Sequence, residues 1–251
     1  MSKSGSGVEM EERFKRRNYS RVLIKLSGEA LCKTGGFGID SEAVDYICEE
    51  IAACLRLGKE VAIVVGGGNL IRGNIFSAQT AISRSTADYM GMLATVINGL
   101  ALQDKLEAMG FETRLMSAIH AHQVAEPFIR RRATRHLEKG RIIILVGGTG
   151  NPYFSTDTQA ALRAQEIGAG AFLKATKVDG VYSEDPLKNP QAKRFEFLTY
   201  EDFLKLRLGV MDETAVRLCA ETKTPIIVFD FARRGNLAAV TSGQKVGTII
   251  A

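Results

Sequence analysis

Two glycine clusters follow short apolar runs and could bind phosphate groups. Gly66–Gly68 ends the run Val61–Val65, and Gly147–Gly150 ends the run Ile142–Val146. Apolar runs of this length predict strands that are buried on both faces of a parallel sheet. Glycines after such a strand let backbone N–H groups approach an anion, and a following helix start favours negative charge. Either cluster alone could simply end a strand, but the two together with Lys25, at the end of another predicted strand, indicate a polyphosphate ligand.

The common signatures of phosphate-binding loops are absent from the sequence. Neither G-x-x-x-x-G-K-[ST] nor G-x-G-x-x-G occurs. The sequence therefore excludes a P-loop enzyme and a typical dinucleotide dehydrogenase, and a nucleotide must be bound by another scheme.

Three charged residues stand where they could act on a transferring phosphoryl group. Lys25 ends the first predicted strand, Arg72 follows the triple glycine by four residues, and Asp157 comes directly after Ser155-Thr156 at a predicted helix start. Phosphoryl transfer depends on cations around the phosphoryl oxygens more than on a base. Structural roles stay open, since a lysine at a strand end often reaches solvent and Asp157 could be only a helix cap. Asp157 could also orient a lysine or bind magnesium.

The elements that must position these residues alternate between strands and helices. Helical spacing of apolar residues, bounded by caps and glycines, predicts helices over 40–58, about 85–109, about 121–138 and 156–167. The short segments Ala238–Thr241 and Gly247–Ile250 are interpreted as edge strands. This alternation predicts one domain over residues 19–251 with a mainly parallel sheet, preceded by a flexible tail at 1–18.

Composition and charge narrow the class of protein. The 251 residues are 45% hydrophobic and 24% charged, which is typical of a globular chain. No apolar run approaches membrane-spanning length and no leader is visible, so we expect a soluble cytoplasmic protein without a membrane partner.

The net charge, 33 − 28 = +5, comes from residues 1–21 and 130–141, and no nucleic-acid module accompanies it, so we expect no nucleic-acid partner. Four cysteines without C-x-x-C spacing indicate neither a zinc nor a disulfide framework.

Six blocks, in order along the chain, carry a resemblance to a known family. They are Lys25–Ala30, Gly36–Asp40, Gly66–Asn69 with Arg72-Gly73, Asp88–Thr95 with Asn98-Gly99, Thr149–Asp157, and Lys174–Tyr182 with Asp185-Pro186. With these blocks the chain resembles the amino-acid kinase family and, within it, the bacterial uridylate kinases, from about Arg21 to the C-terminus. The resemblance implies an α/β fold, a three-layer α/β/α sandwich around a mostly parallel central sheet of about eight strands.

The resemblance also implies a reaction, the ATP-dependent phosphorylation of UMP to UDP in pyrimidine nucleotide biosynthesis. The phosphoryl group would be transferred directly and in line. Mg²⁺ would be carried by ATP rather than by protein ligands. Lys25, Arg72 and Asp157 would be catalytic. ATP would be held by Lys25, Leu26, Ser27, Gly28, Gly68, Arg72, Thr176, Tyr182 and Asp185. UMP would be held by Gly67, Asp88, Thr149, Gly150, Asn151, Pro152, Tyr153, Phe154, Ser155 and Thr156. Either Lys174 or Lys177 would be a second phosphate-binding lysine.

Assembly and regulation are implied in the same way. Relatives form homohexamers that GTP activates and UTP inhibits, and the allosteric loop would correspond to Lys33, Thr34, Gly35, Gly36, Phe37 and Gly38. Gln103 and Glu107 stand where basic residues would be expected at a GTP phosphate site, so the sequence leaves GTP activation open.

Two alternatives belong to other classes of function. One is a family enzyme with another acceptor, such as a carboxylate, carbamate or phosphonate. The other is a non-catalytic relative that binds a nucleotide or oxyanion. A pure binder would not need Lys25, Arg72 and Asp157 together, so their joint presence favours catalysis.

Overall fold

The computed structural model describes residues 19–71, 81–186, 188–189 and 191–251, and the predicted tail at 1–18 lies outside them. The strands are β1 Arg21–Leu26, β2 Glu60–Val65, β3 Thr113–Ser117, β4 Glu126–Pro127, β5 Ile142–Val146, β6 Ala171–Thr176, β7 Val181–Tyr182, β8 Arg194–Phe195, β9 Phe197–Leu198, β10 Ile226–Asp230 and β11 Thr248–Ile250. The helices are α1 Ser41–Arg56, α2 Arg84–Ala108, α3 Arg130–Glu138, α4 Thr156–Glu166, α5 Tyr200–Lys205, α6 Glu213–Thr222 and α7 Asn236–Thr241, with a 3₁₀ turn at Gly28–Leu31.

The described strands form a nine-stranded sheet in the order β4-β3-β5-β2-β1-β6-β10-β11-β9, and β7 and β8 form a separate hairpin. Within the described part of the sheet, only β10 and β11 pair antiparallel. The predicted mostly parallel α/β sheet is therefore confirmed. It has one strand more than the expected eight or so.

Two apolar cores, one on each face of the sheet, make the three layers. Successive residues of β1 point to opposite faces, so Ile24 packs into the core beneath α1, α2 and α7. Leu23 packs into the core beneath α3, α4 and α6. Because β1, β2, β5, β6 and β10 run parallel, their carboxyl ends meet at one edge of the sheet, where loops can form a site.

Three predicted elements differ from the structure. The helix expected over about 121–138 begins only at Arg130, because Glu126–Pro127 is extended and pairs with β3. A residue before proline is biased toward extended backbone, and proline cannot donate the helical hydrogen bond. Ala238–Thr241 lies in helix α7 rather than in an edge strand, since four residues are too few to show a decisive period. Gly247–Ile250 does contain a strand, β11, but it lies between β10 and β9 rather than at an edge.

No helix in the described ranges combines the length and the apolar composition that crossing a bilayer requires.

Candidate active site

One buried carboxylate lies between two lysines at the carboxyl edge of the sheet. The Lys25 ammonium nitrogen is 2.9 Å from Asp157 Oδ1. The Lys174 ammonium donates a hydrogen bond to Asp157 Oδ2. Between 8% and 13% of each of these side chains is exposed. The cluster therefore places two cations side by side, with enough access for an anion to reach them.

Burial and charge act against each other on these groups. Burial by itself raises the pKa of the Asp157 carboxyl, but Lys25 and then Lys174 outweigh it and hold that pKa below its ordinary value. Burial lowers the pKa of Lys174, and Asp157 opposes that effect while Lys25 adds to it. Asp157 is thus a carboxylate at neutral pH, and it favours the charged form of Lys174.

Strand register explains why one carboxylate meets both lysines. β1 and β6 are parallel neighbours, and Lys25 lies directly opposite Lys174, so both side chains point to the same face. Asp157 is the second residue of α4 on that face, and the Ser155 side chain caps this helix. Lys177 instead has a side chain that is 62% exposed and lies 3.8 Å from Glu29. Of the two lysines left open by the sequence, Lys174 is the one beside Asp157.

The ends of β1 and β2 approach so closely that only glycine fits there. A Cβ atom on Gly28 would lie 2.6 Å from the Gly68 nitrogen and 2.7 Å from the Gly66 oxygen. A Cβ atom on Gly67 would lie 2.7 Å from the Gly91 oxygen of α2. The first glycine turn is therefore packed between the Gly28 backbone and α2. This close approach is what the glycine cluster predicts.

A cavity of about 500 Å³ lies beside the first glycine turn. Its lining includes five residues predicted to hold UMP, namely Gly67, Asp88, Phe154, Ser155 and Thr156. It also includes Gly68, predicted for ATP, Gly148 of the second glycine cluster, and Met92 and Thr95 of the block Asp88–Thr95. Arg84 lines it as well, and the sequence reasoning did not single that residue out. Thr149 lines a different cavity, together with His120 and His122, and the predicted residues Gly150, Asn151, Pro152 and Tyr153 follow it in the same loop.

Asp88 fixes the loop that contributes Phe154–Thr156. Its carboxylate accepts hydrogen bonds from the Arg84 guanidinium at 2.9 Å and from the Tyr153 backbone N–H at 2.8 Å. Tyr153 has φ +73°, a left-handed conformation that is uncommon for a non-glycine residue. Asp88 therefore stabilises a strained loop, besides lining the cavity.

The residues predicted for ATP are divided between two further cavities. Lys25, Leu26, Ser27 and Thr176 line a cavity of about 620 Å³, together with Lys174. Tyr182 and Asp185 line another, of about 450 Å³, with residues 206–210. Gly28 lies in the contact between the two strand ends, and Arg72 lies outside the described residues. The structure thus brings Lys25, Leu26, Ser27 and Thr176 together and places Tyr182 and Asp185 in a separate cavity.

Asp212 is a site residue that the sequence analysis does not single out as functional. It caps α6 by accepting a hydrogen bond from the Ala215 N–H at 2.9 Å. It also accepts hydrogen bonds from the hydroxyl groups of Ser155 and of Thr158, the latter at 3.0 Å. It thereby ties the start of α4 to the start of α6 next to Asp157. An aspartate directly before a helical segment is a typical helix cap, but no local signal gives the contact with Ser155.

The loop predicted to be allosteric meets the first glycine turn. Gly38 N–H donates to the Asn69 carbonyl at 3.0 Å, and Asn69 Nδ2 donates back to the Gly38 carbonyl at 2.8 Å. Phe37 is 81% exposed at the tip of this loop. A change in the loop therefore has a short backbone route to the candidate phosphate site.

A model of the amino acid kinase family matches residues 20–230. The chain belongs to the amino acid kinase family. The matched range includes both glycine turns, Lys25, Asp157, Lys174 and Asp212. It ends before α7 and β11, so the candidate site lies entirely within the part that the family model recognises.

Solved structures narrow the likeness within the family. The UMP kinase from Bacillus anthracis superposes with a TM-score of 0.90 at 41% identity, covering 93% of this chain and 96% of that one. The UMP kinase from Ureaplasma parvum gives 0.87 at 35% identity, covering 94% and 100%. The uridylate kinase from Archaeoglobus fulgidus gives 0.72 at 29% identity, covering 92% and 99%. These proteins match over almost their whole length.

Proposed function

We propose that the chain transfers the γ-phosphoryl group of ATP to UMP, forming ADP and UDP, by direct in-line transfer. The observation that carries this proposal is the Lys25–Asp157–Lys174 cluster at the carboxyl edge of the sheet. Lys25 and Lys174 line the candidate donor cavity, and Asp157 directly follows Thr156, which lines the candidate acceptor cavity. The similarity to solved UMP kinases supports UMP as the acceptor.

The chemistry requires charge neutralisation rather than a base. The nucleophile is a phosphate oxygen of UMP, which is already anionic at neutral pH, so no side chain has to remove a proton. Two phosphate anions repel each other, and Lys25 and Lys174 would offset that repulsion at the transferring group. Asp157 would keep both ammonium groups charged and aligned. Arg72 stays a prediction as a third cation, since it lies outside the described residues.

Acceptor selectivity would come from the loop 149–156. Its backbone amides and hydroxyl groups could read the edge of a pyrimidine, while Asp88 holds the loop through Tyr153. A pocket built to hydrogen-bond one base rejects another by leaving buried polar groups unpaired. Thr176, Tyr182 and Asp185 would contact the adenine and ribose of ATP.

Magnesium would enter with the triphosphate. Among the described residues, no three acidic, histidine or cysteine side chains converge, and the one buried carboxylate at the site is paired with two lysines. This donor set fits a metal held mainly by phosphate oxygens. Bound magnesium would neutralise phosphate charge, and Lys25 and Lys174 would add their charges to it at the transferring group.

Homohexamer formation and nucleotide regulation form part of the proposal, as do a cytoplasmic location and a place in pyrimidine nucleotide biosynthesis. Support for assembly comes from α2, where Tyr89, Leu93 and Ile97 are 46%, 53% and 52% exposed at helical spacing. Such a stripe is typical of a subunit interface. At the position expected for GTP phosphates, Gln103 Nε2 donates to Glu107 Oε1 at 3.2 Å, which favours weak or absent GTP activation. UTP would inhibit by competing with UMP for the acceptor cavity.

An ADP-release assay with ATP and magnesium tests the reaction. UMP, CMP, dUMP and acetylglutamate are offered in parallel, each with and without GTP. Turnover with UMP alone supports the proposal. Turnover with acetylglutamate identifies a family enzyme with a carboxylate acceptor. Nucleotide binding without turnover on any acceptor supports a non-catalytic binder and contradicts the proposal.

A further inference from the structure

Helix α2 contacts both glycine turns through buried side chains one helical turn apart. Asn98 Nδ2 donates a hydrogen bond to the Gly66 carbonyl at 2.8 Å. The Gly147 N–H donates to Thr95 Oγ1 at 2.8 Å, and the Thr95 hydroxyl donates to the Met92 carbonyl at 2.6 Å. Asn98 is fully buried and Thr95 nearly so. The helix therefore holds the end of β2 with one residue and the end of β5 with the other.

Asn98 also forms an amide pair with Asn69, which follows the first glycine turn. Each amide donates to the oxygen of the other, at 2.7 Å from Asn98 and 3.0 Å from Asn69. Because the Gly66 and Gly38 carbonyls can only accept, each side chain must present its NH₂ group to one of them. The pair thus joins α2, the first glycine turn and the loop 33–38 in one buried network.

The glycines of the two turns have no side chains that could fix their position. Gly67 lies directly against α2, where a Cβ atom would be 2.8 Å from the Ala94 Cβ. Gly147 has φ +77° and packs against Ser117, 2.8 Å from where its Cβ would be. Glycine-rich backbone loses the most conformational freedom on folding, so such turns stay ordered only where neighbouring groups hold them. Thr95 and Asn98 provide hydrogen bonds that do so.

We propose that Thr95 and Asn98 are positioning residues that fix the distance between the two glycine turns, and so align donor and acceptor phosphates. The alignment part rests on the proposed function, because it assumes that the first turn binds phosphate and that the second opens the acceptor loop. The positional part stands on the hydrogen bonds alone. A displacement of about 1 Å at a reacting centre can cost roughly 100-fold in rate, so small shifts of either turn matter.

A matched pair of threonine substitutions tests the role of Thr95. Thr113 is also fully buried, and its hydroxyl donates to the Phe111 carbonyl at 3.1 Å, but it begins β3 at the opposite edge of the sheet. Thr95→Val and Thr113→Val are the same nearly isosteric change. We expect Thr95→Val to lower kcat for UMP phosphorylation roughly 10- to 100-fold, as for a misplaced reacting group, with Thr113→Val within about twofold of the unsubstituted protein. Equal losses of kcat in the two variants would overturn the proposal that Thr95 helps to align the phosphates.

A pair of aspartate substitutions tests the amide network without relying on activity. Asp at position 98 has no hydrogen to donate to the Gly66 carbonyl, so Asn98→Asp should release the first glycine turn. Asn69→Asp should loosen the loop 33–38, which loses the side-chain bond to the Gly38 carbonyl and keeps the bond from the Gly38 N–H to the Asn69 carbonyl. Asn98 can still donate to both Gly66 and the new carboxylate. Amide hydrogen exchange by mass spectrometry measures this, because local opening raises exchange in the segment that opens.

The two exchange patterns decide the positional part. We expect faster exchange at Gly66–Asn69 in Asn98→Asp, and at 33–38 but not at Gly66 in Asn69→Asp. Uniformly faster exchange over the whole chain would mean that the amides only support global stability, and the proposal would fail. If the unsubstituted protein phosphorylates no acceptor, the proposed function fails, yet the exchange patterns still decide whether α2 positions the turns.

Discussion

Replacing Asp157 by asparagine tests the centre of the proposed mechanism at nearly constant shape. The substitution removes the negative charge that lies 2.9 Å from the Lys25 ammonium and is hydrogen-bonded to Lys174. Two mostly buried ammonium groups then face each other without a carboxylate between them. Burial already lowers the pKa of Lys174 and Asp157 opposes that effect, so we expect Asp157→Asn to lower this pKa further.

The expected magnitudes follow from the geometry. At about 3 Å and an effective dielectric constant of about 20, opposite unit charges attract by about 5–6 kcal/mol. Burial cancels part of this, and removing one partner of a buried pair costs about 3–5 kcal/mol of unfolding free energy. Loss of the Lys174 proton limits that cost. Misplacing or neutralising one cation at the transferring group should lower kcat by roughly 10² to 10³.

The pH dependence has a definite sign for each group. Because the pKa of Asp157 is lowered in the folded state, its stabilisation is present above the ordinary carboxyl pKa and is lost as the pH falls through the lowered value. Because the pKa of Lys174 is also lowered, its charged form disfavours folding; this cost is complete below the lowered pKa and disappears as the pH rises from there to the ordinary lysine pKa. That same rise removes the ammonium that catalysis needs. The alkaline limb of the kcat profile should therefore lie at lower pH in Asp157→Asn.

The assay measures kcat against pH with ATP, magnesium and UMP, beside thermal unfolding of each variant. Asp45→Asn is the control, since Asp45 lies 2.7 Å from Lys105 in an exposed pair away from the site. The double variant Asp157→Asn/Lys174→Met should regain stability without regaining turnover, because it removes the uncompensated charge. Unchanged turnover and an unchanged alkaline limb in Asp157→Asn would refute the reasoning.

Three further predictions address the acceptor loop, the link between helices and the assembly. Thr156→Ala should raise KM for UMP several-fold more than KM for ATP in steady-state kinetics, and equal increases would move Thr156 out of the acceptor cavity. Asp212→Ala should lower the unfolding free energy by about 1 kcal/mol through loss of the α6 cap, and should raise KM for UMP because Ser155 loses its acceptor. A KM for UMP that stays constant while stability falls would restrict Asp212 to capping. Leu93→Glu, which puts charge in the exposed α2 stripe, should reduce the mass measured by light scattering; the Arg131→Glu variant, on the exposed surface of α3, is the matched control.

The local part of the site could be predicted from sequence, since it depends on residue type and spacing. Glycines after apolar strands, Lys25 at the end of β1 and Asp157 at the start of α4 all lie where the patterns put them. The fold class followed for the same reason, because alternation of strand and helix periods is a local property. Sequence patterns fail where a segment is too short to separate the helical from the strand period, as in Ala238–Thr241, which the pattern predicts as a strand and which lies in α7.

The part of the site that could not be predicted from sequence depends on which strands are neighbours, and local sequence patterns do not contain that information. Lys174 and Lys177 are equivalent in sequence, and only the register of β6 beside β1 separates them. The second role of Asp212 arises because α6 begins beside α4 across a separation of more than fifty residues. Thr95 and Asn98 read as ordinary helix residues until β2 and β5 are placed against their face.

Strand order explains why the charged cluster forms where it does. The strands β2 to β5 lie on one side of β1, in the spatial order β2, β5, β3, β4, and the later strands of the sheet lie on the other side, in the order β6, β10, β11, β9. The direction of building therefore reverses between β1 and β6, and open α/β sheets bind ligands at such a reversal. Lys25 and Lys174 end these two strands in register, so Asp157 at the start of α4 can pair with both. In the proposed reaction, the phosphoryl group would pass from the candidate donor cavity to the candidate acceptor cavity at this point. Shifting β6 by one residue would turn Lys174 to the opposite face and leave Asp157 with a single lysine.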